Sequence, residues 1–179
     1  MTLVLHPWET FCVIVGSSAA ALTGLQFVVI ALGAEARALA AEDAVQAFGT
    51  PTVVHFCSVL LISAILATPG HTAVTLAACL SVAGLGGPAY ACWVVRQASR
   101  QTGYVPVFED WLFHAGLPVF SYLTLLVAGA TAFRRPDPAL YMTAISSLLL
   151  LFTGIHNAWD AAVWMSAKKS ASDGKPPET

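Results

Sequence analysis

Two pairs of acidic and imidazole side chains in this sequence have the spacing of a single helix face. Asp110 and His114 are four residues apart, and so are His156 and Asp160. Residues four apart are neighbours on a helix, so each pair would place a carboxylate beside an imidazole. His55 supplies a third imidazole. Together these side chains make up a ligand set suited to a first-row divalent metal such as zinc, iron or manganese.

The composition indicates which elements carry these residues. Hydrophobic residues make up 57% of the 179 and charged residues only 10%, whereas ordinary soluble domains are about 25% charged. Several uncharged stretches reach the roughly 20 residues that a helix needs to cross the hydrocarbon. We therefore expect an all-α integral membrane bundle of five transmembrane helices in one domain, residues 1–165, followed by a disordered cytoplasmic tail, residues 166–179. The expected spans are residues 8–33, 52–67, 72–95, 111–133 and 138–165.

Two dipeptides mark expected helix starts. Thr50-Pro51 and Asp137-Pro138 each place a capping side chain before a proline. Proline suits the first helical position because its missing N–H has no partner there in any case. The second and fifth helices are therefore predicted to begin at these prolines.

The basic residues predict the orientation of the bundle. The side of the membrane that receives most of them is cytoplasmic by the positive-inside rule. Six of the eight fall on one side, namely Arg37, Arg96, Arg100, Lys168, Lys169 and Lys175, whereas Arg134 and Arg135 fall on the other. The N-terminus is therefore expected outside and the C-terminus inside.

With that orientation, the polar residues of four helices lie near one depth in the cytoplasmic leaflet. Ionisable groups in a bilayer cost several kcal/mol on most scales, so such a layer indicates a functional site. At 1.5 Å of rise per residue, most members lie within roughly two turns of the cytoplasmic helix ends, and His156 and Gln26 lie about one turn deeper. The members are His55, Asp110, His114, His156 and Asp160, with Gln26 nearby and Asn157 on the same polar stripe of helix five.

One interpretation of this layer is a metal-dependent membrane enzyme acting on a lipid-like substrate. His55, His114 and His156 would hold the metal. Asp110 or Asp160 would complete the ligand set or act as a general base on a metal-bound water. Each residue also has a structural alternative. Asp110 could cap helix four, His55 could lie at the headgroup level, and His156 could make a structural hydrogen bond.

Two other classes of function fit the same residues. In an oligomeric channel or proton pathway, the His and Asp side chains would relay protons. In an accessory or haem-binding membrane subunit, histidines on facing helices would be axial ligands. The expected partners are the lipid bilayer and either a homo-oligomer or a larger membrane complex. Nucleic acid is not expected, because the net charge is −2 and the sequence has no basic patch with interleaved aromatic residues.

Four sequence strings suggest a relationship to a known group. VGSSAAALTGLQFVVIAL, PTVVHF, GYVPVFEDWLFH and GIHNAWD, which together represent four of the five spans, resemble an uncharacterised family of small bacterial polytopic membrane proteins. The resemblance extends over most of the chain and implies a multi-pass protein of the bacterial inner membrane. It implies no activity.

Overall fold

The computed structural model describes the backbone of residues 3, 5–32, 42–98 and 111–173. Side chains are described within these ranges except for residues 42–50, 88–98, 164–165 and 167–173. Every regular element in this part of the chain is helical, which confirms the predicted all-α class. Asp110 lies outside the described residues.

Five long helices follow one another along the chain. A short 3₁₀ turn at His6–Trp8 leads into α1 (Glu9–Leu32). A π-helical turn at Leu112–Gly116 leads into the fourth long helix. The other helices are α2 (Glu42–Ala67), α3 (Ala73–Ala98), α4 (Leu117–Ala132) and α5 (Pro136–Asp173).

Among the described residues, three helical segments are long and apolar enough to cross a membrane: His6–Ala31, Leu112–Ala132 and Pro136–Val163. Two shorter apolar segments, Pro51–Ala67 and Ala73–Gly87, lie in α2 and α3. The outer faces of the helices carry exposed residues such as Val82, Val127 and Phe152. Exposed apolar side chains on the outside of a bundle are typical of surfaces that contact lipid, and together with these segments they support the prediction of a helical membrane protein.

Helices that are consecutive along the chain run antiparallel. The backbone amide of Leu3 donates to His71 O at 2.8 Å, which holds the beginning of α1 beside the α2–α3 turn. The Trp8 and Tyr141 rings pack edge to face at 5.0 Å, so α5 begins at the same end of the bundle as α1. The Ser146 hydroxyl of α5 donates to Ser121 O of α4 at 2.8 Å.

Two helix boundaries differ from the prediction. Helix α2 begins at Glu42 and contains Pro51 in its interior, because the preceding segment is rich in good helix formers that continue the helix upstream. Helix α5 begins at Pro136, so Asp137 lies in the first turn, where a carboxylate is favoured by the free amides. It ends at Asp173, so part of the tail that was expected to be disordered is helical.

Glycines allow the helices to approach closely. A Cβ atom at Gly84 of α3 would lie 2.6 Å from the backbone nitrogen of Leu126 in α4, and one at Gly16 of α1 would lie 2.8 Å from Ser63 Cβ in α2. Small residues are common in membrane helix contacts, because without a hydrophobic driving force the helices gain stability from close packing. The α3–α4 contact is the most extensive in the bundle, whereas α2 and α3 pack sparsely against each other.

Replacing Gly84 by alanine should therefore destabilise the bundle. The new methyl group would overlap the backbone of α4, and overpacking of this kind typically costs about 1–3 kcal/mol. Gly86→Ala is the matched control, since nothing in the described part of the chain lies within 4 Å of its Cβ position and alanine favours the helix. Thermal unfolding in detergent should show a lower midpoint for Gly84→Ala alone. Equal midpoints for the two variants would contradict the close contact.

Candidate functional site

A chain of hydrogen bonds links His55 on α2 to Tyr122 on α4. The His55 side chain is almost fully buried, with 2% of the residue exposed. Its Nδ1 atom lies 3.3 Å from Tyr122 Oη. Tyr122 Oη also lies 2.9 Å from Ser58 Oγ, and Ser58 Oγ donates to Val54 O at 2.8 Å. Three side chains from two helices are thus joined in the interior.

The donors in this chain fix the tautomer of His55. The single Ser58 hydroxyl proton goes to the carbonyl of Val54, so Ser58 Oγ accepts the proton of Tyr122. Tyr122 Oη must then accept from His55, which places the imidazole proton on Nδ1. The Nε2 atom of neutral His55 therefore carries a lone pair. Within the described residues this buried Nε2 atom has no hydrogen-bond partner.

A second buried acceptor results from the irregular start of α4. In the π-helical turn, the amide of Leu117 donates to Leu112 O. The next residue, Pro118, has no N–H. Neither residue can donate a hydrogen bond to the carbonyl of Phe113. This carbonyl instead accepts a long hydrogen bond of 3.5 Å from Asn157 Nδ2 on α5. The amide nitrogen of Asn157 therefore faces α4.

The Asn157 side-chain oxygen is then left as an acceptor. Asn157 is 2% exposed, and its Oδ1 atom has no hydrogen-bond partner among the residues that the structure describes. Unpaired polar atoms in a protein interior cost about 1–3 kcal/mol each. In both His55 and Asn157, one polar atom of the side chain is hydrogen-bonded to the segment Leu112–Ala132. The other polar atom is an acceptor without a partner among the described residues.

Helix register places these residues near one depth. A Cβ atom at Gly154 of α5 would lie 2.5 Å from the Phe56 ring of α2. Because the two helices are antiparallel, Asn157 lies level with Val53, about 3 Å along the axis from His55. Register from the contact of Gly16 with Ser63 also brings Gln26 to this depth. Gln26, Thr52, His55 and Asn157 are all buried, so these four polar side chains lie in the interior near one level of the bundle.

The predicted pair of His156 and Asp160 lies on a different face. His156 Nε2 is 3.1 Å from an Asp160 carboxylate oxygen, and their side chains are 28% and 53% exposed. The His156 ring stacks on Phe113 with ring centroids 3.6 Å apart. The predicted four-residue spacing therefore does bring the two groups together, but on the outer side of α5. The interior side of the same turn carries Asn157, because adjacent helical residues are about 100° apart around the axis.

The predicted three-histidine metal set is not assembled in the described part of the chain. His114 lies in the π-helical turn and is half-buried, and it interacts electrostatically with His55. No three His, Cys, Asp or Glu side chains among the described residues lie close enough together to hold a metal ion. Metal binding by His55, His114 and His156 stays a prediction, as do the catalytic roles of Asp110 and Asp160 and haem binding.

An apolar groove lies beside the hydrogen-bonded chain. It occupies about 580 Å³ between α2, α3 and α4, where α2 and α3 pack sparsely. Its lining is apolar except for Ser58, Cys79 and Tyr122. Leu61 and Val82, which also line it, are 55% and 72% exposed, so the groove opens to the outer surface of the bundle. We call it the α2–α3 groove.

Tyr122 and Ser58 were missed in the sequence. Each is a common residue in an apolar span, and neither has a motif spacing. The one available signal was a tyrosine in the middle of a span, where its hydroxyl needs a partner because the hydrocarbon offers none.

Comparisons with known proteins identify no relative. No family model, no curated protein and no solved structure matches this chain. Membership of the bacterial membrane family suggested by the four strings stays a prediction.

Replacing Asn157 by alanine should destabilise the protein more than replacing Asp160 by asparagine. The first change leaves the Phe113 carbonyl without its side-chain donor in the interior, at a cost of about 1–3 kcal/mol. The second alters an exposed ion pair, and such pairs contribute about 0–1 kcal/mol. Unfolding midpoints in detergent measure both effects. If the Asp160 variant proved the less stable one, the assigned role of Asn157 would be wrong.

Proposed function

We propose that this chain is a five-span membrane protein that binds a lipid-like molecule in the α2–α3 groove. The observation that carries the proposal is an apolar groove of about 580 Å³ with two hydroxyl groups in its wall. Small-molecule sites are typically concave, mostly apolar and oriented by a few polar groups, with volumes of about 300–1,000 Å³. Tyr122 and Ser58 would hydrogen-bond the polar end of the ligand.

The position of the groove favours a ligand that arrives from the bilayer. Leu61 and Val82 at its opening belong to the exposed apolar faces of α2 and α3. Water has little access to such a surface in the membrane, whereas lipid chains contact it directly. The groove wall would accept an alkyl or isoprenoid chain. A soluble polar metabolite would lose its hydration there without finding partners.

The directions of the hydrogen bonds around Ser58 favour ligand binding over acyl transfer by Ser58. A serine nucleophile needs a base that takes its proton. Here the Ser58 proton is held by the carbonyl of Val54, and His55 bonds Tyr122. The same order argues against a proton wire through these groups, because the chain ends at a backbone carbonyl that cannot pass the proton on.

We also propose that all five helices cross the membrane, with the N-terminus outside, in a bacterial inner membrane. Helix α2 has 26 residues and α3 has 26, and each is therefore about 39 Å long at 1.5 Å per residue. This exceeds the roughly 30 Å of a hydrocarbon core. The six-to-two distribution of basic residues supports the orientation.

A reporter fused after Thr179 tests the orientation. Because the side with six basic residues should face the cytoplasm, a cytoplasm-active fluorescent reporter should be bright there and a periplasm-active phosphatase should be inactive. Fusions at the Arg134–Arg135 turn should behave in the opposite way. Phosphatase activity at the C-terminus would overturn the proposed orientation.

A photoactivatable long-chain alcohol tests the lipid site. Peptide mapping after irradiation should place the label on residues that line the α2–α3 groove, including Cys79. Ala83→Phe should fill the groove and reduce this labelling by about tenfold, equivalent to about 1.4 kcal/mol of binding free energy. Val127→Phe is the matched control, since Val127 is 52% exposed and is not among the groove-lining residues.

The pattern of labelling decides the outcome. Excess unlabelled alcohol should compete at the groove and leave the general labelling of exposed helix faces unchanged. Labelling that is spread evenly over the exposed faces, or that is equal in the Ala83 and Val127 variants, would overturn the proposal of a lipid site.

A further inference from the structure

Two buried side chains that each carry an unpartnered acceptor contact the helical segment Leu112–Ala132. His55 reaches α4 through Nδ1, which faces Tyr122. Asn157 reaches it through Nδ2, which faces Phe113 O. The remaining atoms are His55 Nε2 and Asn157 Oδ1, both buried and both without a hydrogen-bond partner among the described residues. Helix register places the two residues about 3 Å apart along the bundle axis.

Two buried lone pairs without a proton donor would favour a positive centre that both could reach. Neither atom can donate a proton, because His55 carries its proton on Nδ1 and Asn157 Oδ1 is a carbonyl oxygen. A hydrogen bond between them is therefore impossible. A cation that both atoms could bind would relieve the cost of the two buried acceptors together.

The donor types select the class of cation. Imidazole nitrogen suits zinc, copper, iron and nickel, whereas calcium and magnesium prefer oxygen ligands alone. A metal-bound histidine almost always donates its other ring N–H to a neighbouring oxygen, which fixes its tautomer. The Nδ1–H of His55 is directed at Tyr122 Oη in this way.

We propose that His55 Nε2 and Asn157 Oδ1 are ligands of one first-row divalent metal ion in the space between α2, α4 and α5. This site differs from the set expected from the sequence, since the outward-facing His156 is replaced by its neighbour Asn157. Two protein ligands leave further coordination positions to water or a substrate. This site shares Tyr122 with the α2–α3 groove, but neither His55 nor Asn157 is among the residues that line the groove.

Titration with Co²⁺ tests the proposal on the full chain in lipid nanodiscs. Tetrahedral or five-coordinate Co²⁺ gives visible absorption bands, and calorimetry with Zn²⁺ gives an independent affinity. We expect saturable binding of one ion per chain. Removing a ligand by His55→Ala or Asn157→Ala should weaken binding by at least about tenfold, equivalent to about 1.4 kcal/mol. The neighbouring change His156→Ala should leave the affinity within about twofold.

Two further variants separate metal binding from a structural role. Tyr122→Phe removes the oxygen that orients His55 and should weaken binding by about 10–100-fold, as is typical when such a supporting partner is lost. His55→Cys keeps a metal donor. If the metal lies at this position, the Co²⁺ form of this variant should gain a sulfur-to-cobalt charge-transfer band that the wild type lacks.

Each remaining outcome overturns the proposal. Absence of saturable binding by the wild type would mean that the two acceptors hold water only. Loss of binding in His156→Ala with full binding in Asn157→Ala would place the metal on the outer His156–Asp160 pair. A His55→Cys variant that binds Co²⁺ without the new band would show that residue 55 is not a ligand. The lipid-labelling experiment changes Ala83, which lines the groove and is not a proposed metal ligand, so the two proposals can fail separately.

Discussion

The missing N–H of Pro118 is the constraint on which the polar interior depends. Inside a membrane, every backbone carbonyl needs a partner from the protein, because the hydrocarbon supplies none. In the π-helical turn the Leu117 amide donates to Leu112 O. Because Pro118 has no N–H, the Phe113 carbonyl accepts a hydrogen bond from a side chain of another helix. Asn157 fills that role. The irregular turn before α4 therefore gives Asn157 a hydrogen-bond partner in the interior, and His156 lies about 100° around α5 from Asn157.

The sequence predicted the number of helices well, because the length of each apolar segment is related to the thickness of a bilayer. Apolar length predicted five helices, and the described elements contain five. Their ends were harder to predict. Pro51 matched the preference for a first helical position, but the same proline is tolerated inside α2. A proline at position 51 is compatible with both, and only the stability of the upstream turn decides between them.

The level of the buried polar residues along the bundle could be predicted from the sequence, but not the side of each helix that faces the interior. His55 and Asn157 belong to the layer that was expected from their positions, and both are buried. His156 was expected inside as well, because its spacing with Asp160 defines a shared face without saying where that face points. The direction depends on helix packing, which is set by contacts such as Gly154 with Phe56. Tyr122 reaches His55 because its side chain is long, and rules of residue spacing along a helix do not describe how far a side chain reaches.

Comparison with His71 shows how His55 differs from the other fully described buried histidine. Both histidines are buried. His71 Nε2 donates to Ile65 O at 2.8 Å, and its Nδ1 atom lies 3.2 Å from the Thr75 hydroxyl oxygen, so both ring nitrogens have a polar neighbour at the α2–α3 turn. His55 is equally enclosed, yet only its Nδ1 has a partner within the described chain. Burying that unpaired lone pair costs free energy that an apolar side chain of similar size would not cost, and the proposed metal ion would remove this cost.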